Sequence, residues 1–244
     1  MSAGSRRSGS PVLLNVPRFA QPDETTCGPT CLTQVFRYYG LTASLDEVIQ
    51  STPKNPDGGT LGVLLGTAAI RLGFKPTLYS YNQRVFDPTW RKLPPDELIG
   101  KLRLRSEAVK KEKLRRATGA YADFVRLGGR VRFNELNTQL IRGHLERGHP
   151  VLTGLSATYL YRIPREFGPD DDDIRGSAMG HFVVICGYYP KSDRFVVRDP
   201  SPHIPFSRSG RYSVPSDRLI NSILLGDITY DAVLLVLNGR KHIT

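Results

Sequence analysis

The spacing of apolar residues predicts several helices in the first half of the chain. From residue 27 to residue 39, an apolar side chain recurs at every third or fourth position, which is typical of a helix with one buried face. Thr25 or Thr26 can cap this helix, Pro29 suits its first turn and Gly40 suits the position after its last turn. Similar patterns predict helices over residues 45–50, 61–72, 94–127 and 134–147, with a weak point near Gly119 in the longest of them.

Strand-like segments are concentrated in the second half of the chain. Stretches rich in β-branched residues predict strands over residues 151–155, 180–188, 194–198 and 232–237, in addition to 12–16 and 74–81 earlier in the chain. Residues 190–193 are typical of a tight turn, so the strands on either side of them are predicted to form a hairpin. Because helices come first and strands come later, the sequence favours an α+β fold with an N-terminal helical lobe and a C-terminal antiparallel β lobe.

The length and composition are those of one folded domain. The 244 residues are 39% hydrophobic and 23% charged, and a chain of this length buries enough surface to fold without disulfides or metals. The first ten residues are small, polar and basic, so we expect residues 1–10 to be a disordered leader. Residues 11–244 are then predicted to form the domain, with the helical lobe at about 11–148 and the β lobe at about 149–244.

Much of the net charge of +11 lies between Lys101 and Arg116. In this segment, eight lysine and arginine residues stand against two glutamates. A charged run of this kind is most often the solvated face of a helix, and the alternatives are an acidic partner, a membrane surface or RNA. The run lacks the interleaved aromatic residues of single-strand binding proteins. Nucleic acid is therefore not expected, and an acidic partner stays the hypothesis for this segment.

Nothing in the sequence indicates a membrane-spanning or secreted protein. No stretch approaches the roughly 18 apolar residues that a membrane helix needs, and the apolar run after Arg7 is too short for a signal peptide. The three cysteines are an odd number, so they cannot form a complete disulfide framework. We therefore expect a cytoplasmic protein whose cysteines are either free thiols or part of its chemistry.

One cysteine, Cys27, lies where a loop becomes a helix. The backbone N–H groups and the dipole at a helix N-terminus favour the thiolate, which is the nucleophilic form of cysteine. About 150 residues later His181 begins a predicted strand, and Asp199 follows the end of the next strand. The predicted hairpin brings these two strand ends together, so a carboxylate beside an imidazole is expected from the spacing.

A cysteine followed much later by a histidine and then an aspartate is the chain order of papain-like thiol enzymes. Around these residues, the sequence resembles the bacteriocin-processing cysteine peptidases, a branch of the papain-like superfamily. The resemblance rests on Gln21, Thr26–Leu32, Tyr38–Gly40, Gly180–Val184 and Asp199–Pro200. It covers roughly residues 12–40 and 148–202, and it implies a papain-like α+β fold.

The resemblance also implies a role for each residue of the motif. Cys27 would be the nucleophile and His181 the general acid and base, while Asp199 would orient the histidine and Gln21 would donate to the oxyanion. The reaction would be cleavage of a peptide or peptide-like substrate through a thioester on Cys27, with no cofactor. Two alternatives stay open, namely a thiol acyltransferase that forms amide bonds and a module that binds peptides without cutting them.

Other residues fit these roles less well. The commonest role of a lone cysteine at a helix start is that of a small buried hydrophobe, and Cys31, one turn further on, is expected to be such a core residue. Strand alternation places Cys186 on the face opposite to the histidine, so a metal site that includes these cysteines is not expected. His203, in a proline-rich loop, and Asp193, in the predicted turn, are weaker candidates for the base and the carboxylate.

The connection between residues 156 and 179 is long for a compact domain and leads directly to His181. Loops of this length are often lids or binding loops. We expect this one to border the cleft, with Asp170, Asp171, Asp172 and Asp173 selecting a positively charged part of the substrate. The alternative is a mobile, solvated loop without a binding role.

Overall fold

The computed structural model describes residues 9–55, 59–226 and 232–240. Most of the predicted leader, residues 1–8, lies outside the described residues. The described part of the chain contains eight α-helices, one short 3-10 helix and ten strands. The α+β class predicted from the sequence is therefore confirmed.

The helices confirm most of the predicted segments to within a few residues. They are α1 (Cys27–Tyr38), α2 (Leu45–Ser51), α3 (Gly62–Arg71), α4 (Pro95–Ala108), α5 (Glu112–Arg126), α6 (Thr138–Glu146), α7 (Ala157–Tyr161) and α8 (Ser216–Leu225), with the 3-10 helix at Pro88–Lys92. The predicted helix over 134–147 begins later, at Thr138, because Asn137 is its N-cap and accepts a hydrogen bond from the Leu140 N–H.

The strands form one large sheet and one small hairpin. They are β1 (Val12–Leu13), β2 (Phe74–Ser80), β3 (Arg130–Arg132), β4 (Val151–Ser156), β5 (Glu166–Phe167), β6 (Asp170–Asp171), β7 (Gly180–Tyr189), β8 (Arg194–Arg198), β9 (Arg211–Pro215) and β10 (Val233–Arg240). The large sheet has the order β3-β2-β10-β4-β7-β8-β9, with β1 paired to the end of β7. Outside this sheet, β5 pairs with β6. Among these paired strands, only β2 and β3 run parallel.

The two halves of the chain share the large sheet. Strand β2 of the first half pairs with β10, near the C-terminus, so that Leu78 lies opposite Leu235. Strand β10 in turn pairs with β4. The helix-rich and strand-rich parts of the sequence are thus joined by backbone hydrogen bonds in the middle of the sheet.

Helices cover both faces of the sheet. One core includes Phe36 of α1, Leu65 of α3 and Phe124 of α5, and the other includes Leu145 of α6 and Leu219 of α8. Successive strand residues point to opposite faces, so a strand covered on both sides is apolar throughout. The central strand β7 is accordingly buried along almost its whole length.

The longest predicted helix is two helices. Its break lies at residues 109–111, where Val109 is extended, and Gly119 lies inside α5 instead of marking a weak point. The turn allows the apolar faces of both helices to reach the core, with Leu102 from α4 and Leu114 and Tyr121 from α5 buried in the same cluster. A continuous helix would carry one of these faces away from the protein.

Candidate active site

Helix α1 places Cys27 at its first position, at one end of the sheet. Thr26 is the N-cap residue, but no described side chain caps the helix, contrary to the predicted capping role of Thr25 or Thr26. The Thr26 hydroxyl instead donates to the Asp23 carbonyl at 3.0 Å. The N–H groups of the first turn therefore have no side-chain cap within the described chain, which suits an anion at this position.

A close approach explains the glycine that follows the cysteine. A Cβ atom built on Gly28 would lie 2.6 Å from Cγ2 of Thr60 and 3.2 Å from Cδ1 of Leu65. The start of α1 is thus packed directly against neighbouring side chains, and Cys27 itself is 9% exposed. This packing fixes the position of the thiol relative to the sheet.

The β7–β8 hairpin brings His181 and Asp199 together as predicted. The His181 Nε2 and the Asp199 Oδ1 are 2.9 Å apart. Val184 lies opposite Arg198 in the pairing of the two strands, so Asp199 lies near the start of β7. The turn predicted between the strands is confirmed, with Asp193 in the left-handed region at φ 50°.

Asp199 is completely buried and is held by four hydrogen bonds. Its Oδ1 accepts from His181 and from the Ser201 backbone N–H at 3.0 Å. Its Oδ2 accepts from the hydroxyls of Tyr161, at 2.6 Å, and Tyr212, at 2.7 Å. Burial alone would raise the pKa of this carboxyl group, but His181 and the hydrogen bonds lower it below its ordinary value.

His181 links the aspartate to the cysteine. Its Nε2 is occupied by Asp199, so Nδ1 is the ring nitrogen that remains for the contact with Cys27. Burial lowers the pKa of His181, but the Asp199 carboxylate and hydrogen bonds with Asp199 and Cys27 outweigh it and raise the pKa to about 10. The imidazole is therefore favoured as a cation, in contact with a thiol on one side and a carboxylate on the other.

A cleft of about 850 Å³ opens beside His181. Gln21 lines it, and the Gln21 Nε2 donates to the Asp23 carbonyl at 3.0 Å. Glu24, from the same loop, and Glu166, from β5, also line the cleft. Neither glutamate lies in a recognisable motif, so neither could be predicted from the sequence.

Of the four consecutive aspartates, the structure brings only Asp171 to the cleft. Asp172 instead holds its own loop, since its carboxylate accepts from the backbone N–H groups of Ile174 and Arg175. The carbonyl of Asp173 accepts from the Arg165 side chain, and Asp170 is exposed outside the cleft lining. The region contains the short β5–β6 hairpin where the sequence predicted only a connection.

Most of the competing residues have other contacts. The thiol of Cys31 is buried and donates to the Phe182 carbonyl at 3.2 Å, and Cys186 is buried in the same core as α1. Asp193 accepts from the hydroxyls of Tyr188 and Ser216 at the hairpin turn. His203 lines the cleft and is exposed. Cys31 is thus confirmed as a core residue, and Asp193 belongs to the turn.

The described residues contain neither a metal cluster nor a membrane helix. No group of three histidine, cysteine, aspartate or glutamate side chains among them could hold a metal ion. No helix in this part of the chain is both long and apolar enough to cross a membrane.

A cysteine at a helix start, a histidine near the start of one strand and an aspartate directly after the next strand are arranged as in a papain-like cysteine peptidase fold. The chain belongs to the Peptidase C39-like family, whose model matches residues 13–89 and 115–215. The resemblance to the bacteriocin-processing peptidases is therefore confirmed. Residues 90–114, which include all of α4 and the turn to α5, lie between the two matched segments.

Several solved structures are similar to the chain. The peptidase domain of ComA, a bifunctional ABC transporter of Streptococcus, is 14% identical, with a TM-score of 0.46, 93% of this chain covered and 100% of that one. Xylellain, a cysteine protease from Xylella fastidiosa, is 14% identical, with a TM-score of 0.49 and coverages of 95% and 86%. A double-glycine motif protease from an AMS/PCAT transporter, in complex with its leader peptide, is 15% identical, with a TM-score of 0.45 and coverages of 94% and 98%. No curated protein matches the chain.

Proposed function

We propose that the protein is a cysteine peptidase that cleaves an amide bond through a thioester on Cys27. The observation that carries this proposal is the buried pair of His181 and Asp199, 2.9 Å apart, with the imidazole in contact with the cysteine at the start of α1. A nucleophile, a base and a group that orients the base are the components of such a reaction. His181 lines the open cleft, which is the proposed route of a peptide to the thiol.

The proposed reaction has two steps. In the proposed resting state the thiol proton lies on the Nδ1 atom of His181, so that a Cys27 thiolate is paired with the imidazolium. The sulfur attacks the amide carbonyl carbon to form a tetrahedral intermediate. The intermediate collapses as the imidazolium returns its proton to the leaving amine, so that the C–N bond breaks and a thioester remains. A water molecule, deprotonated by the same imidazole, then attacks the thioester and releases the acid and the free thiol. Asp199 keeps the ring oriented throughout.

Two groups are the proposed donors to the oxyanion of the tetrahedral intermediate. The backbone N–H of Cys27 belongs to the uncapped first turn of α1. One hydrogen of the Gln21 amide is used by the Asp23 carbonyl, which leaves the other for a substrate oxygen in the cleft. Donors that are fixed before the reaction stabilise the developing charge without reorganisation.

The proposed substrate is a peptide or peptide-like molecule, and the proposed setting is reducing. The three cysteines are free and buried, as expected of thiols in a cytoplasmic protein. Of the four aspartates predicted to select a positively charged part of the substrate, we retain Asp171 for this role. Glu24 and Glu166, which line the same cleft, are added to it. We also retain the proposal of an acidic partner for the basic segment, which forms the end of α4 and the start of α5.

Selective alkylation tests the nucleophile without a known substrate. The native protein would be treated with iodoacetamide at about pH 5, where an ordinary thiol is almost entirely protonated and reacts slowly. Peptide mass spectrometry then gives the rate at each cysteine. We expect Cys27 to react at least tenfold faster than Cys31 and Cys186, which serve as controls in the same molecule, and His181→Gln to abolish the difference. Equal rates at the three cysteines would contradict the proposal.

A confirmed nucleophile would justify a second experiment, on the fate of the acyl group. The wild type and Cys27→Ala would be incubated with a peptide library in the presence and absence of an added primary amine. Release of free carboxylic acid by the wild type alone indicates a peptidase. Formation of a new amide indicates the acyltransferase, and peptide binding without any product indicates the binding module.

A further inference from the structure

The Asp199 carboxylate accepts more hydrogen bonds than the proposed reaction uses. Of these hydrogen bonds, only the one with His181 takes part in the proposed reaction. The second oxygen, Oδ2, accepts from Tyr161 on α7 and from Tyr212 on β9, at 2.6 and 2.7 Å. These tyrosines come from two elements that are far apart in the chain, and their hydroxyls converge on this atom.

The two phenols restrict how the carboxylate can turn. With Oδ2 held by two hydroxyls and Oδ1 also bonded to the Ser201 N–H, rotation of the group away from His181 would break several charge-assisted hydrogen bonds at once. Such bonds are about twice as strong as neutral ones. Asp199 has no exposed surface, so water could not replace the lost donors.

We propose that Tyr161 and Tyr212 are positioning residues that keep Asp199 ionised and aimed at the His181 Nε2. This proposal rests on the proposed function, since it assigns the tyrosines a role in maintaining the same catalytic site. The ring of Tyr161 also lies 6.1 Å from the ring of His181 and lines the cleft. The proposed role belongs to the two hydroxyls, which act through the aspartate.

The phenols are suited to remain donors over a wide pH range. Burial and the nearby Asp199 carboxylate raise the pKa of both hydroxyls above their ordinary value. Tyr161 is 8% exposed, and the ring of Phe206 packs edge-on against both phenol rings, with centroids 5.8 and 4.9 Å away. The loop that carries Phe206 thus covers the two tyrosines.

Other titratable groups also face the His181–Asp199 pair. Cys27 and Cys31 approach it from α1. The guanidinium of Arg18 donates to the Ser201 carbonyl, in the loop after the aspartate. These groups are the same in every variant used below, so a difference between variants reports on the phenols.

Hydrogen exchange at the His181 Nε2–H tests the positioning role directly. The resonance of this proton would be assigned by its loss in His181→Gln, and its exchange with water measured by NMR in Tyr161→Phe, Tyr212→Phe and the double variant. We expect about tenfold faster exchange in each single variant, because a hydrogen bond to a charged group is worth at least one power of ten. The control is Tyr159→Phe, on the same helix, whose side chain is 43% exposed. It should leave the exchange unchanged.

The pH profile of Cys27 alkylation by iodoacetamide gives an independent readout. Loss of a donor raises the pKa of Asp199, so the acidic limb of the profile should move to higher pH by about one unit in each phenylalanine variant. A lower melting temperature with an unmoved limb and unchanged exchange would mean that the tyrosines only stabilise the fold, and it would overturn the proposal. If the double variant does not fold, the single variants decide.

The two readouts also separate this proposal from the proposed function. A wild-type Cys27 that reacts no faster than Cys31 and Cys186 would contradict the peptidase assignment. The exchange measurement on His181 does not depend on the reactivity of the thiol. Unchanged exchange in both single variants would overturn the positioning role, even in an active enzyme.

Discussion

The amide of Gln21 can donate two hydrogen bonds, and the described structure uses one of them, to the Asp23 carbonyl. If the second stabilises the oxyanion, Gln21→Ala should lower kcat about 10²- to 10³-fold and change KM little. The measurement is steady-state hydrolysis of a peptide that the wild type cleaves. Gln83→Ala, at an exposed position outside the cleft lining, is the control. A rise in KM with unchanged kcat would instead indicate that Gln21 only binds the substrate.

The pair of His181 and Asp199 makes a pH-dependent contribution to stability. Folding raises the pKa of His181 from its ordinary value of 6.5 to about 10, so protonated His181 stabilises the fold. This contribution is complete below pH 6.5 and is lost as the pH rises through 10. The lowered pKa of Asp199 contributes above its ordinary value of 3.8 and is lost as the pH falls through the folded-state pKa. The pair therefore stabilises the fold most between these two ordinary values.

Asp199→Asn tests this window. We expect it to lower the free energy of unfolding by about 3–5 kcal/mol at about pH 5, because it leaves a buried imidazolium without its counterion. Near pH 10 the loss should be much smaller, since the wild-type imidazole is then partly neutral. Denaturant unfolding of both proteins at several pH values measures the difference. A loss that is the same at every pH would show that the charge pair is not its cause.

Some of the residues of the candidate site can be predicted from the sequence, and others cannot. The positions of Cys27, His181 and Asp199 in the fold can be predicted, because a helix start and a tight hairpin are local features that single residues reveal. The contacts of Tyr161 and Tyr212 could not be found in this way. They depend on how two distant elements pack at one carboxylate, and no local spacing records this packing.

At the scale of elements, the β5–β6 hairpin carries Glu166 and Asp171 to the cleft. Glu166 lies among acidic neighbours. Burial, and then the negative charges of Glu24 and Asp171, raise the pKa of Glu166 above its ordinary value. A basic substrate residue would relieve this crowding.

We therefore expect Asp171→Asn to lower kcat/KM for a peptide with lysine near the scissile bond by about two- to fivefold, which corresponds to an exposed ion pair. A peptide with glutamine in place of the lysine should be unaffected. Asp170→Asn, one residue earlier and outside the cleft lining, is the matched control. Equal losses for the two peptides would show that Asp171 does not select charge.

The helix and strand boundaries show which elements a sequence pattern can reveal. Segments with a long apolar period and clear end signals, such as α1 with Gly40 at φ 78°, were predicted to within a residue or two. Strand β9 and helix α8 were missed. Strand β9 has few apolar residues because it pairs with β8 at the edge of the sheet, where one side lies next to solvent.

At the scale of the whole molecule, pairing between β2 and β10 could not be inferred from the sequence. These strands are separated by more than 150 residues, and strand pairing leaves no mark on the local pattern beyond alternation. The order of helices and strands did predict the α+β class, because that class depends only on how many elements of each kind occur and in which order.

Residues 90–114, between the two parts matched by the family model, contain six of the eight lysine and arginine residues of the basic segment 101–116. Lys110 and Lys111 are exposed in the turn between α4 and α5 and have no ion-pair partner in the described chain. Arg115 and Arg116, in contrast, are both paired with Glu112. Removing the two lysine charges can therefore be compared with removing the two arginine charges, since both changes lower the net charge by two.

If an acidic partner docks on the turn, replacing Lys110 and Lys111 by glutamine should weaken binding of a polyglutamate peptide by about fivefold or more at low salt. Replacing Arg115 and Arg116 by glutamine should weaken it less, because Glu112 already offsets their charge. Fluorescence anisotropy at increasing salt concentrations measures both effects. Equal weakening by the two pairs would mean that only net charge matters. Tighter binding to anionic vesicles or to RNA than to polyglutamate would show that the surface serves a different ligand.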